Sequence, residues 1–71
     1  MHKTDLLVSI GRRIKTIRFA KKMTQNDLAI ECDFEKASLS RIESGKTNIT
    51  IRTLYKISKG LDVNIAEFFR D

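Results

Sequence analysis

The sequence contains no proline and no tryptophan, and only one cysteine (Cys32) and one histidine (His2) in 71 residues. A lone cysteine forms no internal disulfide, and without cysteine or histidine clusters there is no zinc-finger spacing. Cys32 is expected to be a small core residue. His2 has no suitable partner nearby in sequence, so neither metal binding nor acid–base catalysis is expected there. No apolar run approaches the roughly 20 residues of a membrane span, and the start, MHKTDLLVSIGRR, is unlike a secretion signal. These absences fit a reducing cytoplasm. No nucleophile stands beside a base, and SGK at Ser44–Lys46 lacks the glycines of a phosphate-cradling loop. Asp27 and Glu31, one turn apart, read as a helix cap and a solvated side chain. An enzyme is therefore not expected, nor are a metal, a cofactor or a small-molecule ligand.

What the chain does have is positive charge. Fourteen Lys and Arg stand against nine Asp and Glu, giving +5, and seven of the cations lie in the first 22 residues. Such a surplus suits a polyanionic partner. The length suits one small domain over 1–71, whose core is thin because so short a chain buries only about 60% of its unfolded surface.

Apolar residues recur at helical spacings, and alternation never persists for the length of a strand. The first helix is expected from about Asp5 to Ala20 with Thr4 as N-cap. Leu6, Leu7, Ile10, Ile14 and Ile17 form its buried stripe, and Gly11 suggests a close helix neighbour. In MTQNDLA, Thr24 and Asp27 make a capping box, and Met23 and Leu28 a hydrophobic staple, so a second helix runs from Gln25 to about Cys32. A third follows from Lys36 to Ser44, with Gly45 as a left-handed stop. A fourth starts after Thr50, buries Leu54, Ile57 and Leu61, and ends at Gly60. A final short helix through Phe69 is expected from a second capping box, Asn64 with Glu67, and a staple of Val63 on Phe68.

The third helix is the odd one. Leu39 and Ile42 give it a narrow apolar edge. Projected at about 100° per residue, Lys36, Ser40 and Ser44 form one outward row, and Ala37 and Arg41 the next. Arg and Lys donate to guanine O6 and N7, Ser pairs with several bases, and Ala fits against a thymine methyl. An ordinary solvated helix more often carries Glu–Lys pairs four apart, and this one has none.

TQNDLA, then SLSRIESGK, then LYKISKGLDV, resembles the helix-turn-helix domains of the phage repressors, Cro and the xenobiotic-response-element-type regulators, from Ile14 to Phe69. The resemblance implies an all-α, five-helix, lambda-repressor-like domain. It makes the third helix the recognition helix, with Lys36, Ala37, Ser38, Ser40 and Arg41 as base readers. Thr24 and Gln25, at a helix N-terminus that itself favours anions, become phosphate contacts, as do Lys46, Thr47, Asn48 and Thr50. It also implies an internal ion pair between Arg18 and Glu43. Asp33 stands where the turn often has Gly, and Glu35 where a Ser or Thr cap is usual. NITI replaces the common proline before the fourth helix, and that stretch resembles the controller proteins of restriction–modification systems.

Phe68 and Phe69 cannot easily both face one small core, so Phe69 is expected at a dimer contact. The expected function is sequence-specific regulation of transcription by a homodimer on a (pseudo)palindromic operator in double-stranded DNA. The alternative is an antitoxin-like or other interaction module on the same fold. The acids Asp27, Glu31, Asp33 and Glu35 suit an RNA polymerase contact.

Overall fold

A computed structural model describes residues 3–70. Four α-helices follow in order, α1 (Lys3–Ala20), α2 (Gln25–Cys32), α3 (Lys36–Glu43) and α4 (Ile51–Leu61), and a 3-10 segment, Ile65–Phe69, closes the chain. No strand occurs among the described residues. His2 lies outside them.

Each element contributes to one core: Ile14 from α1, Leu28 from α2, Leu39 from α3, Leu54 and Ile57 from α4, and Phe68 from the 3-10 segment. Burying such a side chain stabilises by about 1.5–3 kcal/mol relative to leaving it in water. Cys32 is buried with them, its thiol directed at the Lys56 carbonyl 3.6 Å away. Burial holds that thiol above its ordinary pKa, favouring the neutral form a core requires.

The α1 stripe is shorter than its pattern. Ile10, Ile14 and Ile17 are buried and Leu7 is half-buried, but Leu6 is 42% exposed. Burial fades from Ile10 toward the start of the helix, which projects past the core there. Thr4 is not the N-cap. With no proline or glycine to stop it, α1 runs back through Thr4 to Lys3.

All four helices end in the same way. After α3, Lys46 N donates to Arg41 O at 3.0 Å and Gly45 N to Ile42 O at 3.1 Å. This double bond to the last turn needs a left-handed residue, and Gly45 supplies it at φ 73°. The same pairing closes α1, α2 and α4 around Lys22, Asp33 and Asp62, at φ 58°, 59° and 57°. A side chain in that conformation costs roughly 1–2 kcal/mol, which Asp tolerates better than most residues.

Gly60 therefore does not end α4. It sits within the helix, where an added Cβ would lie 2.8 Å from Cys32 Sγ, and Asp62 provides the stop. Gly11 has a similar role. A Cβ there would lie 2.5 Å from the Ile42 and Glu43 carbonyls, so its absence lets α1 close on the end of α3.

The last element also differs from expectation. It is a 3-10 segment and not an α-helix, and it has no capping box. Asn64 Oδ1 accepts from Ala66 N at 2.9 Å, so Asn64 caps the segment by itself, without a reciprocal bond from Glu67. The Glu67 carboxylate instead pairs with Arg13 and Arg70. Phe68 is nonetheless fully buried and Val63 packs against the core.

Candidate nucleic-acid interface

Helices α2 and α3 are joined by Asp33, Phe34 and Glu35. The left-handed Asp33 turns the chain, and Phe34 packs against the core beneath the Lys56 ammonium, 5.5 Å from its ring centre. Glu35 occupies the N-cap position of α3 but makes no side-chain cap bond. The reciprocal capping bonds at α2 are complete: Asp27 N donates to Thr24 Oγ1 at 3.0 Å and Thr24 N to Asp27 Oδ2 at 2.9 Å.

The two short helices are held to α1 by a buried polar cluster. Arg18 donates twice to Glu43, Nε to Oε2 at 2.7 Å and Nη2 to Oε1 at 2.9 Å. Its third bond runs from Nη1 to the Met23 carbonyl at 2.9 Å. Gln25 adds a bond from Nε2 to Glu43 Oε1 at 2.9 Å. Among the described residues no buried side-chain nitrogen or oxygen lacks a partner. A bidentate guanidinium–carboxylate pair with its remaining sites filled is the arrangement in which attraction best offsets desolvation.

This pairing shapes the outer face of α3. Glu43 is the helix's only acid and it is turned inward. Ala37, Ser40 and Arg41 are exposed and Ser38 is half-buried at the flank. Ser44 turns back on its own helix, donating to Ser40 O at 2.9 Å. Lys36 is exposed at the start of that face. With Lys22, Asn26, Thr24, Gln25 and Phe19, it lines a groove of about 420 Å³ at the start of α2. Gln25 retains one amide hydrogen there beyond the one it gives Glu43.

Beyond Gly45 the chain runs irregularly to Thr50. Lys46 and Asn48 are exposed. Thr50 is already engaged, accepting from Thr53 N at 3.1 Å and donating to Thr53 Oγ1 at 3.0 Å. The half-buried Thr47 directs its hydroxyl at the Asn48 carbonyl at 3.4 Å. Phe69 stands apart from these groups, 51% exposed.

The sequence pattern of the helix-turn-helix family matches residues 14–68. The chain belongs to that family. Control protein C.MunI of a Mycoplasma species is 34% identical over 68 residues, covering 94% of this helix-turn-helix chain and 92% of that protein. Control protein C.BamHI of Bacillus amyloliquefaciens is 41% identical over 60 residues, 83% of this chain and 74% of that one. The restriction-modification controller protein C.Esp1396I, crystallised as a tetramer in complex with its natural 35 base-pair operator, superposes with a TM-score of 0.83. It is 42% identical, over 90% of this chain and 84% of that one. The matched relatives are control proteins and transcriptional regulators, and this helix-turn-helix protein is not an enzyme. No described helix is long and apolar enough to cross a membrane.

Sequence reasoning missed two apolar surface features and one internal bond. Ile51 and Tyr55, 68% and 54% exposed, share a face of α4, and Ile30 is 69% exposed on α2. Their spacing gave a signal for α4, since residues four apart lie on one helix face away from Leu54 and Ile57. The bond from Gln25 to Glu43 had no sequence signal, because 18 residues separate the two.

Proposed function

We propose that this protein is a sequence-specific, DNA-binding regulator of transcription, of the restriction–modification controller type, acting in the cytoplasm as a homodimer on a (pseudo)palindromic operator. Residues 1–71 act as one helix-turn-helix DNA-binding domain. The observation that carries the reading is the face of α3, which bears exposed arginine, serine and alanine and no acid because Glu43 is turned inward to Arg18. Laid in the major groove, α3 reads bases with Ala37, Ser40 and Arg41, with Ser38 and Lys36 at the edges. Thr24 and Gln25 donate to one phosphate stretch, helped by the free amides of α2. Lys46, Thr47, Asn48 and Thr50 follow another, where Thr50 exchanges its present partner for a phosphate oxygen or contributes its backbone.

Phe69, with the exposed pair Ile51 and Tyr55, supplies apolar area for the contact between copies. That contact sets two recognition helices about 34 Å apart, one turn of DNA. The likeness to a controller protein crystallised on its operator supports the whole assignment.

A mobility-shift series on random-sequence DNA tests it. Binding at low salt with a steep loss of affinity as salt rises is the expected result. No binding at low salt overturns the reading. Selection of bound sites from a random pool then gives the half-site and its symmetry.

One observation favours a second role as a protein-interaction surface. Ile30 is exposed among the acids Asp27, Glu31, Asp33 and Glu35, which together suit an activator's contact with RNA polymerase or an antitoxin-like contact with another protein. Ile30→Asp separates the roles, with DNA affinity unchanged and polymerase recruitment lost.

A further inference from the structure

On the side of α1 away from α3, three arginines and two hydroxyls line one shallow groove of about 240 Å³: Ser9, Arg12, Arg13, Thr16 and Arg70. The placement follows from helix geometry. Gly11 points into α3, and at about 100° per residue Ser9, Arg12, Arg13 and Thr16 project roughly 100–160° from it. They therefore point away from the side of α1 that meets α3.

The groove is only partly neutralised. Glu67 pairs with Arg70 at 3.1 Å and lies 3.7 Å from Arg13, whose Nε also donates to the Glu67 carbonyl at 3.1 Å. Arg12 makes no ion pair among the described residues and is exposed. Among the described residues, three cations less one carboxylate leave two positive charges facing the groove.

We propose that this face binds the phosphate backbone of a second DNA segment, so that one protein joins two duplexes or two stretches of one bent duplex. Three features select phosphate. Arginine's planar fork matches phosphate oxygens bidentately, where a lysine would give only a point charge. Ser9 and Thr16 lie beside the guanidinium groups and supply the hydroxyl donors common in backbone contacts. No apolar side chain lines the groove, so the buried anchor that a protein partner would require is absent. The site reads charge and spacing only, and is therefore indifferent to sequence. The choice of DNA as the occupant rests on the function proposed above.

The test uses the full chain and two dye-labelled duplexes, one selected by the protein from a random pool and one unrelated. Energy transfer between them reports bridging. At low salt the wild type is expected to give transfer. Arg12→Gln/Arg70→Gln is expected to weaken bridging by about tenfold or more while binding to the selected duplex stays within about twofold. If the wild type binds the selected duplex but never bridges, this inference falls and the reading of α3 stands. If it binds neither duplex, both fall. Bridging that survives in the double variant also overturns the site, since the second duplex is then held elsewhere. Displacement of the second duplex by an acidic peptide more readily than by unlabelled DNA would assign the face to a protein and overturn the nucleic-acid assignment.

Discussion

Gln25, the first residue of α2, donates its side-chain amide to the Glu43 carboxylate near the end of α3 at 2.9 Å. The same carboxylate holds Arg18 of α1, so three helices share one buried acid. The groups proposed for phosphate and for bases are thereby fixed to one another. Gln25→Ala is expected to weaken specific and nonspecific DNA binding alike, by about 1–1.5 kcal/mol, because the lost contact reads no base. Titration of both DNA types measures it. A loss confined to the selected sequence would refute a phosphate role.

Breaking the Arg18–Glu43 pair on one side should weigh heavily on so small a domain. Removing either partner leaves a buried charge, at a cost of about 3–5 kcal/mol. A chain of this length has a total stability of roughly 4–11 kcal/mol. Arg18→Met is therefore expected to leave a protein close to unfolding, and Arg18→Met/Glu43→Leu to recover most of the loss. Urea titrations of the single and double variants check both outcomes.

Arg41→Ala is expected to cost about 1–3 kcal/mol at one base pair of the half-site and little elsewhere. Affinities for duplexes with that pair changed provide the measurement. An equal loss on all sequences would make Arg41 a phosphate contact.

Two glycine exchanges should act in opposite directions. Asp62→Gly relieves a left-handed side chain at a helix end and is expected to stabilise by about 1 kcal/mol. Gly11→Ala drives a methyl group toward carbonyls 2.5 Å away, and overpacking of that kind costs about 1–3 kcal/mol or more. Thermal melts distinguish them.

Acid should weaken the start of α2. The Thr24 backbone N–H, and then its hydroxyl, hold the Asp27 carboxyl below its ordinary range. A lowered folded-state pKa means stability that is present at neutral pH and fades as pH falls through that lowered value. Asp27→Asn is expected to be less stable than wild type at neutral pH and to converge with it in acid. Melting temperature followed from neutral to strongly acidic pH measures the convergence.

The chain's local chemistry was mostly legible. The α2 capping box, the Gly45 stop and the stripe of α4 are contacts within a few residues, so sequence spacing predicts them. Thr4 and Gly60 have a cap's composition without a cap's setting, and Asn64 caps the last segment without the Glu67 half of a capping box. No stop signal precedes Thr4, Cys32 lies against Gly60, and Glu67 is drawn away from Asn64 by Arg13 and Arg70. Thr50 caps α4 as its position before the helix suggests, while the groove that Lys36 shares with the start of α2 depends on how the two helices meet.

The sequence alone determined the helical class, the two short helices and their turn, and a third helix too polar for a core. Periodicity and caps act over three or four residues and leave their pattern in the chain. Only the tertiary structure decided which charges face outward. Periodicity alone makes Glu43 one more surface acid; the resemblance pairs it with Arg18, 25 residues earlier, and the structure shows that pair formed with the carboxylate inside. The stripe of Ser9, Arg12, Arg13 and Thr16 becomes a groove only when the chain's last turn brings Arg70 beside it. Those pairings depend on how helices far apart in sequence come together.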